Sequence, residues 1–264
     1  MRNKVKDFDA VPFDLTNICD SVKSLYLTDT PREKLIVIVG ATSAGKSSLA
    51  IDLAEHFGTE IISADSMAVY KNFNVGTAKP SQAELERVPH HLIDILDAEQ
   101  VFSMVEFVQR ARKIISDINA RGKIPIVAGG TGLYVQALVE GYDAHAGEKS
   151  FTSHFKRTGE LFYAAQVYGL TAQREILYDR INRRTEKIFA DGLVDEVKNL
   201  LAQGVSPDAQ AMRGIGYKET VEYLQGGSTL DETIAKVAQA TRNFAKRQLT
   251  WFRRMKYIRW LKIF

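Results

Sequence analysis

Apolar residues are distributed along this chain in two rhythms that take turns. Leu35-Ile36-Val37-Ile38-Val39 is an unbroken, largely β-branched run, the length and composition of a strand buried on both faces. After Gly40 the spacing changes, and Leu49, Ile51, Leu53, Ala54 and Phe57 predict a helix over 46–57. A second apolar run, 60–64, ends at Asp65-Ser66. Val105, Phe107, Val108, Ala111, Ile114, Ile115 and Ile118 then predict a helix over 104–120, closed by Gly122. A third run, 124–128, leads into Gly129-Gly130-Thr131-Gly132 and a helix through Leu133, Val135, Leu138 and Val139. Alternating strands and helices predict an α/β fold with a parallel sheet flanked by helices on both faces. Ligands of such sheets sit at the carboxyl ends of the strands, where Gly40, Asp65 and Thr131 fall.

Beyond Thr171 the pattern is almost wholly helical, with segments predicted at 171–189, 193–203, 216–225 and 230–256 and breaks at Gly192, Gly204 and Gly226-Gly227. Residues 142–160 open on small and polar positions and read as a loop or linker. Residues 1–33 carry no motif; Ile18, Val22, Leu25 and Leu27 suggest a short amphipathic stretch between Pro12 and Pro31. The chain thus divides into an N-terminal extension (1–33), an α/β core (34–141), a short insertion or linker (142–170) and a helical C-terminal part (171–264) that completes the core.

The chemistry begins at Gly40-Ala41-Thr42-Ser43-Ala44-Gly45-Lys46-Ser47, a G-x-x-x-x-G-K-S spacing between strand and helix. The loop amides and the helix N-terminus suit phosphate oxygens, Lys46 a terminal phosphate and the Ser47 hydroxyl a Mg²⁺. A diphosphate or triphosphate is therefore expected, and the loop alone does not say which. Asp65, at a strand end beside the loop, could hold Mg²⁺ through water, act as a general base, or merely cap a turn. Gly129–Tyr134 offers a hydroxyl and free amides, or a plain strand-to-helix turn. Thr77 and Lys79 lie in a loop, Asn74–Pro80, where solvated side chains are the ordinary expectation. His90 and His91 lack partners at metal-ligand spacing. Arg174, Arg180, Arg183 and Arg184 mix with acids along one helix, which favours a solvated face, though one arginine closing over a diphosphate stays open.

With 45% hydrophobic and 25% charged residues in 264, composition is that of an ordinary globular chain. Cys19 is the only cysteine, which excludes an internal disulfide and a cysteine metal site. No signal peptide or bilayer-length apolar run is seen, so no membrane is expected and the cytoplasm is the default compartment. The net charge of +3 is uneven: no acid follows Glu232. There, Thr241–Arg254 interleaves bases with aromatics, and Arg242, Lys246, Arg247 and Arg253 fall near one side of a helix, a candidate for nucleic-acid phosphates.

Taken together, Gly40–Ser47, Asp65–Tyr70, Gly76–Pro80, His90–Asp94, Gly129–Tyr134, Arg174–Asn182, Gly214–Glu219 and Thr241–Trp251 resemble the tRNA dimethylallyltransferases, in that family's order. The resemblance implies a P-loop NTPase-like core and transfer of a dimethylallyl group from dimethylallyl diphosphate to N6 of the adenosine 3′ of the anticodon, position 37, without use of ATP. It implies that the phosphate loop holds the diphosphate and that Asp65 takes the amine proton. Lys46, Arg180 and Mg²⁺ on Ser47 would neutralise the leaving group, and Thr131 would fix the reacting groups. Asp65, Ser66, Met67, Ala68 and Thr131 would meet the flipped adenosine, and Arg242, Lys246 and Arg247 the anticodon stem. A monomer acting on a tRNA anticodon stem-loop is expected. Three features depart from the pattern: the segment between Gly141 and about Leu170 is shorter than usual, Ala68 stands where glutamine is common, and the extension before Lys34 is long. Prenylation of free adenine nucleotides, small-molecule kinase activity and RNA binding without turnover are the rival readings.

Overall fold

The computed structural model describes residues 10–141 and 161–263. Among these, the sheet has seven strands, all parallel: β1 (Val11–Pro12), β2 (Lys34–Gly40), β3 (Ile61–Ser63), β4 (His90–His91), β5 (Ile126–Gly129), β6 (Ala164–Thr171) and β7 (Arg259–Lys262). Their spatial order is β1-β7-β6-β2-β5-β3-β4. The helices are α1 (Leu15–Leu27), α2 (Lys46–Phe57), α3 (Gln82–Arg87), α4 (Met104–Ala120), α5 (Gly132–Val139), α6 (Arg174–Ala190), α7 (Leu193–Ala202), α8 (Tyr217–Leu224) and α9 (Leu230–Phe252).

Strand β2 shows why the apolar run has no polar alternation. Its side chains point to opposite faces in turn, and both faces are covered. Leu35, Val37 and Val39 join one core with residues of α4, α5 and α7; Ile36 and Ile38 join another with residues of α1, α2 and α6. The parallel α/β expectation is borne out, and the phosphate loop, Asp65 and Thr131 lie together at the carboxyl ends of β2, β3 and β5.

One part of the sequence reading is corrected, and two others gain detail. Residues 164–170, placed in a linker, are the strand paired with β2 from Lys34↔Ala164 to Gly40↔Leu170. Alanines, Gln166 and Gly169 break the β-branched signature there, and it is pairing on both edges, with β2 and β7, that makes the segment a strand. The C-terminal part is largely helical as expected, and adds one strand after its last helix, β7, which pairs with β6 and β1. The segment before Lys34 is packed onto the sheet: α1 buries Ile18, Cys19, Val22 and Leu25, while Leu27 is 86% exposed. The loop expected at 142–160 lies outside the described residues.

Helix α9 starts with a capping box in which Thr229 and Glu232 bond each other's backbone amides. The last acid of the chain is thereby used at a helix start, and the rest of α9 carries only basic charge.

Candidate active site

The turn from β2 to α2 depends on Gly45, whose φ of 84° lies in the left-handed region open to glycine. Lys46 is then the first residue of α2, and its Nζ donates to the Ala41 carbonyl at 2.8 Å across the loop. Burial and the nearby Arg184 guanidinium lower the Lys46 pKa to about 8, with Asp65 pulling the other way. Ser43 Oγ is buried without a hydrogen-bond partner, and Ser47 is exposed in the first helical turn. A loop with an orphaned hydroxyl, an underused ammonium and a helix N-terminus fits an anion of the diphosphate kind.

Asp65 follows β3. Its Oδ1 accepts the Met67 N–H at 2.8 Å, so the turn role is real and also orients the carboxylate. Next door, Thr131 Oγ1 accepts the Ser66 N–H at 3.2 Å, and the Thr131 N–H donates to Ala64 O at 3.2 Å. These bonds tie the turns after β3 and β5 into one surface.

Two cavities meet on that surface. One, about 130 Å³, is lined by Lys46, Ser47, Ala68, Lys79, His90 and other residues near the phosphate loop. The larger, about 330 Å³, is lined by Ser66, Met67, Thr131, Arg213, Tyr217 and Arg247 among others. Asp65, Thr42, Thr77, Gly130, Arg184 and Phe244 belong to both. A carboxylate therefore stands at the junction of the chamber beside the phosphate loop and the larger one.

Arg184, one of the four arginines named from the sequence, is brought to the site where the resemblance had pointed to Arg180. One turn beyond Arg180 on α6, it reaches into both cavities while keeping solvent access. Desolvation by surrounding protein lowers its pKa, and the charge of Asp65 counteracts this. Arg180 lies further out, lining the opening beside Ser43, Gly45, Ser47 and Ser48. The exposed Arg183–Asp179 ion pair bears out a solvated face for that part of α6. The unforeseen residue is Gln248, buried in α9, whose Nε2 donates to Gly130 O at 3.0 Å. Its only signal was a polar position inside Thr241–Trp251.

Lys79 is not solvated. Its ammonium is turned inward onto Tyr70 O, Asn74 Oδ1 and Asp94 Oδ1, which use all three of its protons. Arg242 bonds Asn182 and Gln239, joining α6 to α9, and lines neither cavity; Lys246 is exposed on α9. Ala68 lies in the phosphate-side cavity, apart from Ser66 and Met67. His90 bonds the Val88 carbonyl and His91 bonds Glu60, and no cluster of metal-ligating side chains exists among the described residues. The donors present fit a Mg²⁺ held largely by substrate phosphates, with Ser47 and Asp65 as the protein groups within the same cavity.

Fold and loop together define a P-loop protein of the parallel α/β class. The model of the IPP transferase family matches it in two pieces, residues 68–158 and 144–255. The tRNA dimethylallyltransferase of Pelotomaculum thermopropionicum is 38% identical over 291 residues, covering 89% of this chain and 93% of that one. That of Carboxydothermus hydrogenoformans is 41% identical, covering 86% and 91%. The crystal structure of the full-length tRNA isopentenylpyrophosphate transferase of Bacillus halodurans superimposes with a TM-score of 0.80 at 36% identity, over 88% of this chain and 90% of that one. A eukaryotic dimethylallyltransferase captured acting on tRNA gives 0.73 at 27% identity, over 83% and 70%. The chain belongs to the IPP transferase family, that of the tRNA dimethylallyltransferases.

Proposed function

We propose that the protein transfers a dimethylallyl group from dimethylallyl diphosphate to N6 of the adenosine 3′-adjacent to the anticodon (position 37) of tRNA, releasing diphosphate. The observation that carries this reading is the place of Asp65, on the seam between the phosphate-loop cavity and the larger one. The diphosphate occupies the loop amides with Lys46, and Arg184 and Arg180 face its exposed side. The adenine enters the larger cavity out of its stack. The bond from N6 to the allylic carbon forms as the bond from that carbon to the diphosphate oxygen breaks, and Asp65 accepts the N6 proton. Thr131, bonded to Ser66, holds the acceptor side against Asp65. Positive charge on Lys46 and the two arginines stabilises the leaving diphosphate. Mg²⁺ bound by Ser47 and the diphosphate would add Lewis-acid stabilisation of that charge.

Arg247 in the larger cavity and Lys246 on the same helix supply contacts for the RNA backbone, which favours tRNA over a free nucleotide. No helix among the described residues is long and apolar enough to cross a membrane. The reading is of a monomer working in the cytoplasm, where its tRNA substrate is found.

The test is mass analysis of an anticodon stem-loop RNA incubated with protein, dimethylallyl diphosphate and Mg²⁺, beside an Asp65→Ala control. One added C5H8 unit on the adenosine next to the anticodon, absent from the control, is expected. ATP turnover without RNA modification would replace the reading with a kinase.

A further inference from the structure

The Asn74–Pro80 loop walls both cavities, with Thr77 facing each of them. Its first three amides converge on a single carboxylate. Glu196, on α7, accepts the N–H groups of Asn74 and Val75 on Oε2, both at 2.8 Å, and that of Gly76 on Oε1 at 3.2 Å. The same Oε1 accepts the Tyr217 hydroxyl proton at 2.6 Å. Burial and the Glu196 charge push the Tyr217 phenol far above its usual range, so it remains a donor.

The Tyr217 ring packs against the loop at Gly76. It lies 4.9 Å from the Phe73 ring, and a Cβ on Gly76 would come within 2.5 Å of it, so that position admits only glycine without displacement. The ring also lines the larger cavity. The segments Gly76–Pro80 and Gly214–Glu219 thus interlock through a residue that neither contains. Glu196 lines neither cavity itself.

We infer that Glu196 is a positioning residue for the transfer. It holds the loop so that Thr77 and the neighbouring backbone face the diphosphate, and its bond from the Tyr217 hydroxyl fixes the carboxylate that the loop amides share. The substrates named here rest on the prenyl-transfer reading. Four hydrogen bonds to one carboxylate leave no cheap alternative geometry, because each amide released would lose its partner.

The test compares the whole protein with Glu196→Gln and Tyr217→Phe. It measures kcat and KM for dimethylallyl diphosphate and an anticodon stem-loop RNA, Kd for inorganic diphosphate, and hydrogen exchange at Asn74–Gly76. Whichever way the carboxamide introduced by Glu196→Gln turns, at least one loop amide faces a donor. The KM for dimethylallyl diphosphate and the Kd for diphosphate are expected to rise about tenfold and kcat to fall as much, with the RNA KM within about twofold. The three amides exchange faster, and Tyr217→Phe moves every value in the same direction by less. Unchanged constants and exchange in a folded variant would overturn the proposal, as would an RNA KM rising as far as that for the diphosphate substrate. Should Glu196→Gln not fold, Tyr217→Phe decides by the same criteria. Failure of the wild type to prenylate would instead sink the function, and diphosphate affinity and amide exchange would still judge the role of Glu196.

Discussion

Gln248 holds Thr42: its Oε1 accepts the Thr42 N–H at 2.8 Å, while its Nε2 donates to Gly130 O at 3.0 Å. One buried carboxamide thereby fastens the phosphate loop to the turn after β5. Gln248→Leu keeps the volume and loses both bonds, leaving a part-buried amide and a buried carbonyl unpaired. A loss of about 1–3 kcal/mol in urea unfolding is expected, with weaker diphosphate binding. An unchanged unfolding midpoint would contradict this role.

Asp65 has a turn role and a proposed proton-accepting role, and Asp65→Asn separates them. Asparagine keeps an oxygen for the Met67 N–H but cannot take a proton at neutral pH. The expectation is a fall in kcat of about 10²–10⁴-fold, with thermal stability and the KM for dimethylallyl diphosphate little altered. Full activity in this variant would remove Asp65 as the base.

Lys46 makes diphosphate binding sensitive to alkali. With its pKa near 8, the free protein loses this charge as pH rises through that value, and affinity falls across the same range. Lys46→Met should bind weakly and flatten the profile, which calorimetry at a series of pH values would show. The stability effect runs the opposite way. The folded pKa is below the ordinary 10.5, so the unfolded chain holds more protons between about 8 and 10.5 and this residue's contribution to stability rises with pH there.

The two arginines Arg247 and Arg242 should differ in kind. Arg247 faces the larger cavity, so Arg247→Ala is expected to weaken RNA binding and lower the slope of log affinity against log salt by about 1. Arg242 is bonded to Asn182 and Gln239, so Arg242→Ala should lower stability and leave that slope unchanged. Equal salt slopes for the two variants would refute the distinction.

Just before β3, Glu60 is a buried carboxylate held by Arg121 and His91. The Arg121 hydrogen bond outweighs burial and lowers its pKa from 4.5 to about 2. A depressed carboxylate contributes stability that is complete above pH 4.5 and is lost as pH falls toward 2. Arg121→Ala should move acid unfolding to higher pH and lower stability at neutrality, by leaving the Glu60 carboxylate with His91 alone. Circular dichroism along an acid titration reads both.

By itself the sequence determined what depends on neighbours in the chain. Strands β2, β3 and β5, the phosphate loop and α2, α4, α6 and α9 are legible because apolar periodicity and glycine breaks act over a few residues. So are Asp65 and Thr131, which sit at strand ends by local order alone. Only the tertiary structure decided that Ala164–Thr171 is a central strand, since its weak strand composition is outweighed by pairing with β2 and β7. It also decided that Arg184 reaches the seam from one helical turn beyond Arg180, and that Lys79 turns inward onto three oxygens. Gln248 and Glu196 carry no motif of their own. Their roles arise because α9 and α7 pack beside loops that lie far away in sequence, and such contacts are set by the sheet order rather than by any local pattern.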